Sequence, residues 1–469
     1  MSANTAVERT LRNFARACGG RLEGADRAFA GVSSDSRTLS AGDLFVALRG
    51  PRFNGNEFVG AAVAAGAAGA LVDEPQSLGL AQIVVADTQA ALSRAGHVWR
   101  EALDIPVVGV AGSNGKTTAK EMTAAILCEA GSTLATRGNL NNHIGVPLTL
   151  LRLEPGHRFA VIEMGANRAG EVAELVKVAR PTVGLITNAG AEHLEGFGSL
   201  EGVARAEGET VAGLGANATA VINADDEFAS LWRGMTSARV VTFGITSAAD
   251  FRASGLRTTL GAGGFLTRFR LSSPLGQAEV ELHLGGRHNV ANALGAAAAA
   301  AAAGATLEQI VRGLGAMRPV PGRLQLKQAA CGAWIIDDSY NANPSSVRAG
   351  IEVLAAIEGR HWLVFGDMAE LGEFAADEHA QIGAFARAHG IERLLATGPL
   401  AALTVERFGT GGQWFPETEA LTRELLRALS SGEPGMGSVR LLVKGSRINR
   451  LERVVAALVG NANDNSDGH

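Results

Sequence analysis

The apolar run Val107-Val108-Gly109-Val110 passes through Ala111 into Gly112-Ser113-Asn114-Gly115-Lys116-Thr117-Thr118. A helical pattern carrying Met122, Ala125 and Ile126 follows, as far as Gly131. Strand, glycine loop and helix in that order restrict the fold to a parallel α/β sheet with a ligand at its strand ends. The glycines let backbone N–H groups turn inward, and the helix N-terminus adds the positive end of its dipole. Lys116 then reaches β and γ phosphates, and the Thr117 hydroxyl is offered to Mg2+. Val110 stands where the eight-residue phosphate motif has its first glycine, so the strict motif fails by one position. The flanking strand and helix favour a phosphate cradle over a glycine turn that binds nothing. No Asn-Lys-x-Asp guanine motif occurs in the chain, which makes ATP the expected nucleotide.

The rest of the chain is organised around that unit. Its 469 residues exceed what one core supports, and three α/β domains are predicted. These are a small N-terminal α/β domain over 1–87, a central P-loop domain over 88–318 and a C-terminal α/β domain over 319–469. In the first, Asp43 to Leu48, Ala70 to Val72 and Ile83 to Val85 read as short strands. In the second, Val107 to Val110, Phe159 to Ile162 and Val183 to Thr187 are continuous apolar runs suited to parallel strands covered on both faces. Between Phe251 and Leu284 the pattern changes to alternation, with Phe265, Thr267, Phe269, Leu271, Val280, Leu282 and Leu284 facing inward. That is the signature of an antiparallel appendage. Pro319-Val320-Pro321-Gly322 breaks the chain, and a second α/β rhythm runs through Trp334–Ile336, Trp362–Phe365, Leu394–Ala396 and Leu441–Val443. The polar tail from Asn461 to His469 is expected to fray.

Hydrophobic content of 46% with 19% charged residues is that of a folded globular protein. A net charge of −5 gives no bulk field for a polyanion, so nucleic acid is disfavoured as a partner. Cys18, Cys128 and Cys331 match no metal spacing and are too few for a disulfide framework, so buried free thiols in the cytoplasm are expected. No signal-peptide pattern opens the chain, and no apolar run reads as a membrane span. The Ala296 to Ala303 run reads as a small-residue helix packed closely on a sheet.

Ligands of a parallel sheet gather beyond the carboxyl ends of its strands. Glu163 ends one neighbouring run and brings a carboxylate to a hard cation. His193 follows another, as a second ligand or a phosphate contact.

Taken together, four strings resemble the Mur ligases of peptidoglycan synthesis. They are Val110 to Thr118, Asn139 to Pro147, Gly286 to Ala293, and Asp337-Asp338-Ser339-Tyr340-Asn341-Ala342-Asn343-Pro344. The last string, with Gly366-Asp367-Met368 and Lys444-Gly445-Ser446-Arg447, is most similar to the branch acting on UDP-N-acetylmuramoyl-tripeptide and D-alanyl-D-alanine. The resemblance implies a three-domain amide ligase, with an N-terminal UDP-sugar-binding domain, a central ATPase domain and a C-terminal Rossmann-like domain, that uses ATP and Mg2+ and passes through an acyl phosphate. It expects the chain to act as a monomer without membrane insertion. It assigns Lys116 and Thr117 to the phosphates and first magnesium, Glu163 to that metal, and His193 to a second. It gives Asn292 to adenine, and Arg323 and Asp338 to phosphate and ribose on domain closure. Ser34, Asp35, Ser36 and Arg37 resemble a uridine-binding stretch. Asn141, Asn142 and His143 are assigned to the pyrophosphate or muramoyl part, Lys444 and Ser446 to the dipeptide, and Asn341 and Asn343 to substrate binding.

One departure tests the resemblance. Many Mur ligases carry, about fourteen residues past the loop histidine, a lysine whose carbamoylated side chain serves the second metal. Here that position is Glu207. A glutamate brings a carboxylate without modification, so Glu207 is expected to bind Mg2+ directly or through water. The competing reading is a solvated glutamate on a helix face. Two rivals stand beside the whole assignment: another ligase of the superfamily, and a nucleotide-dependent regulator that performs no ligation.

Overall fold

The computed structural model describes residues 8–51, 53–261, 263–430 and 436–460. The expected frayed tail, Asn461 to His469, lies outside them. Three principal sheets are formed, each largely parallel. The first is five-stranded and runs, across the sheet, Arg21–Glu23, Gln82–Val84, Gly69–Val72, Leu44–Val46, Val32–Ser33. Only its outer pair, Arg21–Glu23 with Gln82–Val84, is antiparallel.

The second sheet has nine strands. Val107–Ala111 lies near one end, between Phe159–Glu163 and Val183–Ile186 and parallel to both. All three strands are buried along their whole length, as the continuous apolar runs require. Beyond them come Thr219–Asn223, Arg239–Gly244 and then Phe251–Gly261, Gly264–Ser273 and Gly276–Leu282. The last three form the alternating segment. It extends the central sheet by antiparallel pairing instead of standing apart from it, because Phe251–Gly261 also pairs in parallel with Arg239–Gly244. Phe265, Thr267, Phe269 and Leu271 all point inward and are at most 3% exposed. Phe265 packs with the C-terminal core, beside Leu324 and Ile336, so this extension braces the third sheet.

Helix Arg287–Ala302 carries the alanine run and lies against the central sheet, with Ala296 to Ala300 fully buried. No helix among the described residues is long and apolar enough to cross a membrane. The third sheet runs Gln325–Gln328, Trp334–Asp338, Val439–Lys444, Arg360–Gly366, Arg393–Thr397, Gly412–Phe415, with only the first pair antiparallel.

The first two sheets share one apolar cluster through helix Thr88–Glu101, which packs on both sides. Trp99 is fully buried there and donates its indole N–H to the Leu153 carbonyl, 3.2 Å away. Arg100 on the same helix donates to the backbone carbonyls of Leu103, Ile105, Ala179 and Arg180. Of the free cysteines only Cys18 is buried; Cys128 and Cys331 are exposed, against expectation. Cys128 closes its helix on the solvent side, and Cys331 sits in the turn between two strands.

Candidate active site

The phosphate loop owes its shape to two glycines. Gly112 has φ +125°, and a Cβ there would lie 2.1 Å from Thr187 Oγ1. Gly115 caps helix Lys116–Cys128 at φ +78°, where a Cβ would meet Asn292 Oδ1 at 2.3 Å. Asn292 therefore stands directly against the loop. It occupies the second turn of its own helix, where its amide donates to Asn289 Oδ1 at 3.3 Å. The loop is fastened to the segment after Val183–Ile186. Ser113 N donates to Asn188 O at 2.9 Å, Asn114 N to Asn188 Oδ1 at 3.0 Å, and Thr187 Oγ1 to Asn114 O at 2.7 Å.

The polar side chains that follow converge on this loop. Lys116 Nζ donates to Ser113 O at 3.1 Å and pairs with Glu192 Oε1 at 2.7 Å. Burial opposes its charge, but Glu192, Glu207 and Glu163 outweigh that and hold the ammonium pKa above the ordinary lysine value. Thr117 Oγ1 donates to Glu163 Oε1 at 3.2 Å, and Asn141 Nδ2 donates to the same oxygen at 2.9 Å. The other oxygen, Glu163 Oε2, is buried and without a hydrogen-bond partner. An orphaned carboxylate oxygen beside a threonine hydroxyl is a donor set that fits a hard divalent cation. Among the described residues no three His, Cys, Asp or Glu side chains gather into a ready-made metal site.

The third sheet closes over the loop from the other side. Arg323 Nη2 donates to Thr117 Oγ1 at 3.0 Å, and its guanidinium lies 4.5 Å from the centre of the Tyr340 ring. Asn343 caps helix Pro344–Ala355, accepting from Ser346 N at 2.9 Å. Its amide meanwhile donates to Asn114 Oδ1 at 2.8 Å and to Glu192 Oε2 at 3.2 Å. Asn114 Nδ2 donates in return to Ser345 Oγ at 2.9 Å. Asp338 does not open the turn at Pro344. It ends strand Trp334–Asp338, where it pairs with buried Lys444 at 2.6 Å. His193 Nδ1 lies 2.5 Å from Glu370 Oε2, and both residues have left-handed backbones, at φ +50° and +63°.

Together these groups line a cavity of about 630 Å3 between the central and C-terminal sheets. Ser113 to Thr118, Asn141, Asn142, Glu163, His193, Asn292, Arg323, Asp338, Asn341, Asn343 and Lys444 all border it. The remaining expected site residues do not. Ser34, Asp35, Ser36 and Arg37 lie in a turn of the first domain, where Asp35 and Arg37 form a paired-bond ion pair at 2.7 and 2.9 Å. His143 is exposed and does not border the cavity. Ser446 faces inward, donating to Ala342 O at 3.1 Å and accepting from Ala369 N at 2.9 Å. A hydroxyl so engaged ties its loop to the segments that carry Ala342 and Ala369.

Glu207 is buried in helix Leu200–Ala212, not solvated on its face, and its Oε2 accepts from Gly112 N at 2.7 Å. Burial pushes its carboxyl up to about 7, against the opposing pull of Lys116 and the Gly112 N–H. Two carboxylates that the sequence reading missed, Glu192 and Glu370, take part directly. Each lies just past the carboxyl end of a parallel strand, the rule that had singled out Glu163.

A P-loop parallel-sheet domain facing a second parallel α/β domain across a polar cavity defines a nucleotide-binding α/β protein. Comparison with known proteins narrows the class. The model of the Mur ligase middle domain matches residues 110–300, that of the Mur ligase, glutamate ligase domain residues 322–447, and that of the Mur ligase family, catalytic domain residues 28–114. The chain belongs to the Mur ligase family, and it is an ADP-forming, ATP-dependent ligase. It is 44% identical to the UDP-N-acetylmuramoyl-tripeptide--D-alanyl-D-alanine ligase of Escherichia coli, over 96% of this chain and 98% of that protein. The Haemophilus influenzae ligase of the same name is 37% identical over 91% and 93%. Among solved structures, MurF from Acinetobacter baumannii superposes with a TM-score of 0.89 at 35% identity, covering 96% of this chain and 99% of that one. MurF from Thermotoga maritima in complex with ADP gives 0.79 at 26% identity, covering 92% and 97%.

Proposed function

We propose that this chain joins D-alanyl-D-alanine to the terminal carboxylate of UDP-N-acetylmuramoyl-tripeptide at the expense of ATP. The observation that carries the reading is the contact of the two domains over the phosphate loop, Arg323 to Thr117 and Asn343 to Asn114. Identity to ligases of that name over nearly the full chain supports the choice of substrates.

A carboxylate is a poor electrophile, so the tripeptide carboxylate oxygen first attacks the γ phosphorus and ADP leaves. The dipeptide amine then attacks the acyl carbon, loses a proton, and the carbon–oxygen bond to phosphate breaks. Catalysis on this scheme is positioning and charge neutralisation. Lys116 and the loop amides hold the β and γ phosphates, Asn292 meets the adenine beside Gly115, and Arg323 and Asp338 serve phosphate and ribose. Thr117 and Glu163 would hold Mg2+, with His193 at a second ion, and the metal would neutralise phosphate charge. Ser34 to Arg37 are assigned to the uridine end, and Asn141, Asn142 and His143 to the pyrophosphate or muramoyl part. Lys444 is assigned to the dipeptide side and Asn341 and Asn343 to substrate binding, while Ser446, expected beside them, supports its loop instead. Such soluble precursors fit a cytoplasmic enzyme.

The test is phosphate release with ATP and UDP-N-acetylmuramoyl-tripeptide, comparing D-alanyl-D-alanine with D-alanine, D-glutamate and diaminopimelate. Stimulation confined to the dipeptide is expected. Turnover with diaminopimelate or D-glutamate instead would overturn the substrate assignment.

A further inference from the structure

Glu207 reaches the phosphate loop from beneath. Its side chain leaves helix Leu200–Ala212 and ends on the Gly112 N–H, and only 4% of the residue is exposed. It is not among the residues lining the cavity. Its neighbour Glu209 is committed elsewhere, accepting from Gly170 N at 2.7 Å and Ala173 N at 2.9 Å. Gly112 is the residue at which the chain leaves the buried strand and turns through φ +125° into the loop. Thr187 crowds it on the side where a Cβ would point, and the next amide, Ser113 N, is fixed on Asn188 O. The turn is thus clamped between Glu207 on one amide and Asn188 on the next. An N–H buried at that depth without an acceptor would be destabilising, and the loop would be free to turn it elsewhere.

We propose that Glu207 is a positioning residue of the phosphate loop, acting through the Gly112 N–H, and is not a magnesium ligand. The inference rests on the nucleotide-binding reading of the loop, but its first readout needs no nucleotide. Two variants separate the roles. Glu207→Gln keeps an acceptor oxygen at the same reach and removes the negative charge; Glu207→Ala removes the acceptor.

Amide hydrogen exchange in residues 110–114 of the free enzyme is expected to match the unaltered protein in Glu207→Gln and to accelerate at least tenfold in Glu207→Ala. Calorimetric ADP binding in EDTA should stay within about threefold for Gln and weaken at least tenfold for Ala. Unchanged exchange in Glu207→Ala would overturn the proposal. So would a Gln variant that binds ADP normally in EDTA yet needs at least tenfold more Mg2+ for half-maximal nucleotide-dependent stabilisation. Failure of every form, including the unaltered enzyme, to bind ADP would count against the nucleotide reading, and the exchange result would still decide the role of Glu207.

Discussion

Gly115→Ala is the sharpest probe of how the loop is built. At φ +78° an alanine sits in the left-handed region, which costs about 1–2 kcal/mol relative to glycine. Its Cβ would also fall 2.3 Å from Asn292 Oδ1 and 2.7 Å from Asn292 Nδ2, so Asn292 must move and give up its bond to Asn289. That bond adds about 1 kcal/mol. The combined cost of about 2–3 kcal/mol corresponds to roughly a 30- to 150-fold effect. A loop that keeps its shape carries the cost as lower stability, and a loop that relaxes carries it as weaker ADP binding. Thermal unfolding and ADP calorimetry must therefore be measured on the same variant. A double-mutant cycle with Asn292→Ala separates the two terms: removing the obstructing amide should recover about 1 kcal/mol and leave the backbone strain. ADP affinity and melting temperature both unchanged in Gly115→Ala would refute the reasoning, and strict additivity in the cycle would refute the Asn292 contact.

Arg323→Ala loses both the bond to Thr117 Oγ1 and the stack on Tyr340; phosphate release should fall at least tenfold, with Arg323→Lys recovering only part because an ammonium cannot make both contacts. Burial, reinforced by Lys444 and opposed by Asp338, lowers the pKa of His288 to about 4. The unfolded chain takes up the proton first, so stability present above pH 6.5 is lost as pH falls towards 4, by at most about 3 kcal/mol and less where the ring opens on the cavity. His288→Gln should flatten the fall in melting temperature between pH 7 and pH 5, and an unchanged slope would dismiss His288 as its source. Arg100→Ala strips four backbone carbonyls of a buried donor and should destabilise the protein by roughly 2–4 kcal/mol, read as a lowered melting temperature.

Much of this architecture was legible before the fold. Continuous apolar runs marked the parallel strands at Val107 and Phe159, and single-parity alternation marked the extension at Phe265 to Leu271. Both patterns are set by which faces of a strand are covered, a local property. The loop residues were legible for the same reason, since glycines with positive φ and a lysine at a helix start lie next to one another in the chain. The partners of those residues were not. Asn114 meets Asn343 and Thr117 meets Arg323 across more than 200 residues, through the packing of two different sheets. No periodicity encodes that docking. Glu192 and Glu370 went unnoticed because a charged loop residue looks like solvated surface until its cation is placed beside it. Glu207 was singled out by its position in a family pattern, yet a pattern gives the residue and not the direction of its side chain.

Every cation of the cavity discussed above has a protein partner already. Lys116 is held by Glu192, Lys444 by Asp338, and Arg323 by the Thr117 hydroxyl and the Tyr340 ring. A buried charge left alone would be costly, so these pairings allow the two sheets to meet over the phosphate loop. A triphosphate held by Lys116 as proposed would compete with Glu192 for that ammonium instead of meeting a bare charge. Part of its interaction energy would then be consumed in exchanging partners. Glu192 also accepts from Asn343 across the cavity, so the carboxylate that holds Lys116 is itself part of the contact between the domains. A phosphate bound at Lys116 and the contact between the domains would thus meet at one carboxylate, that of Glu192.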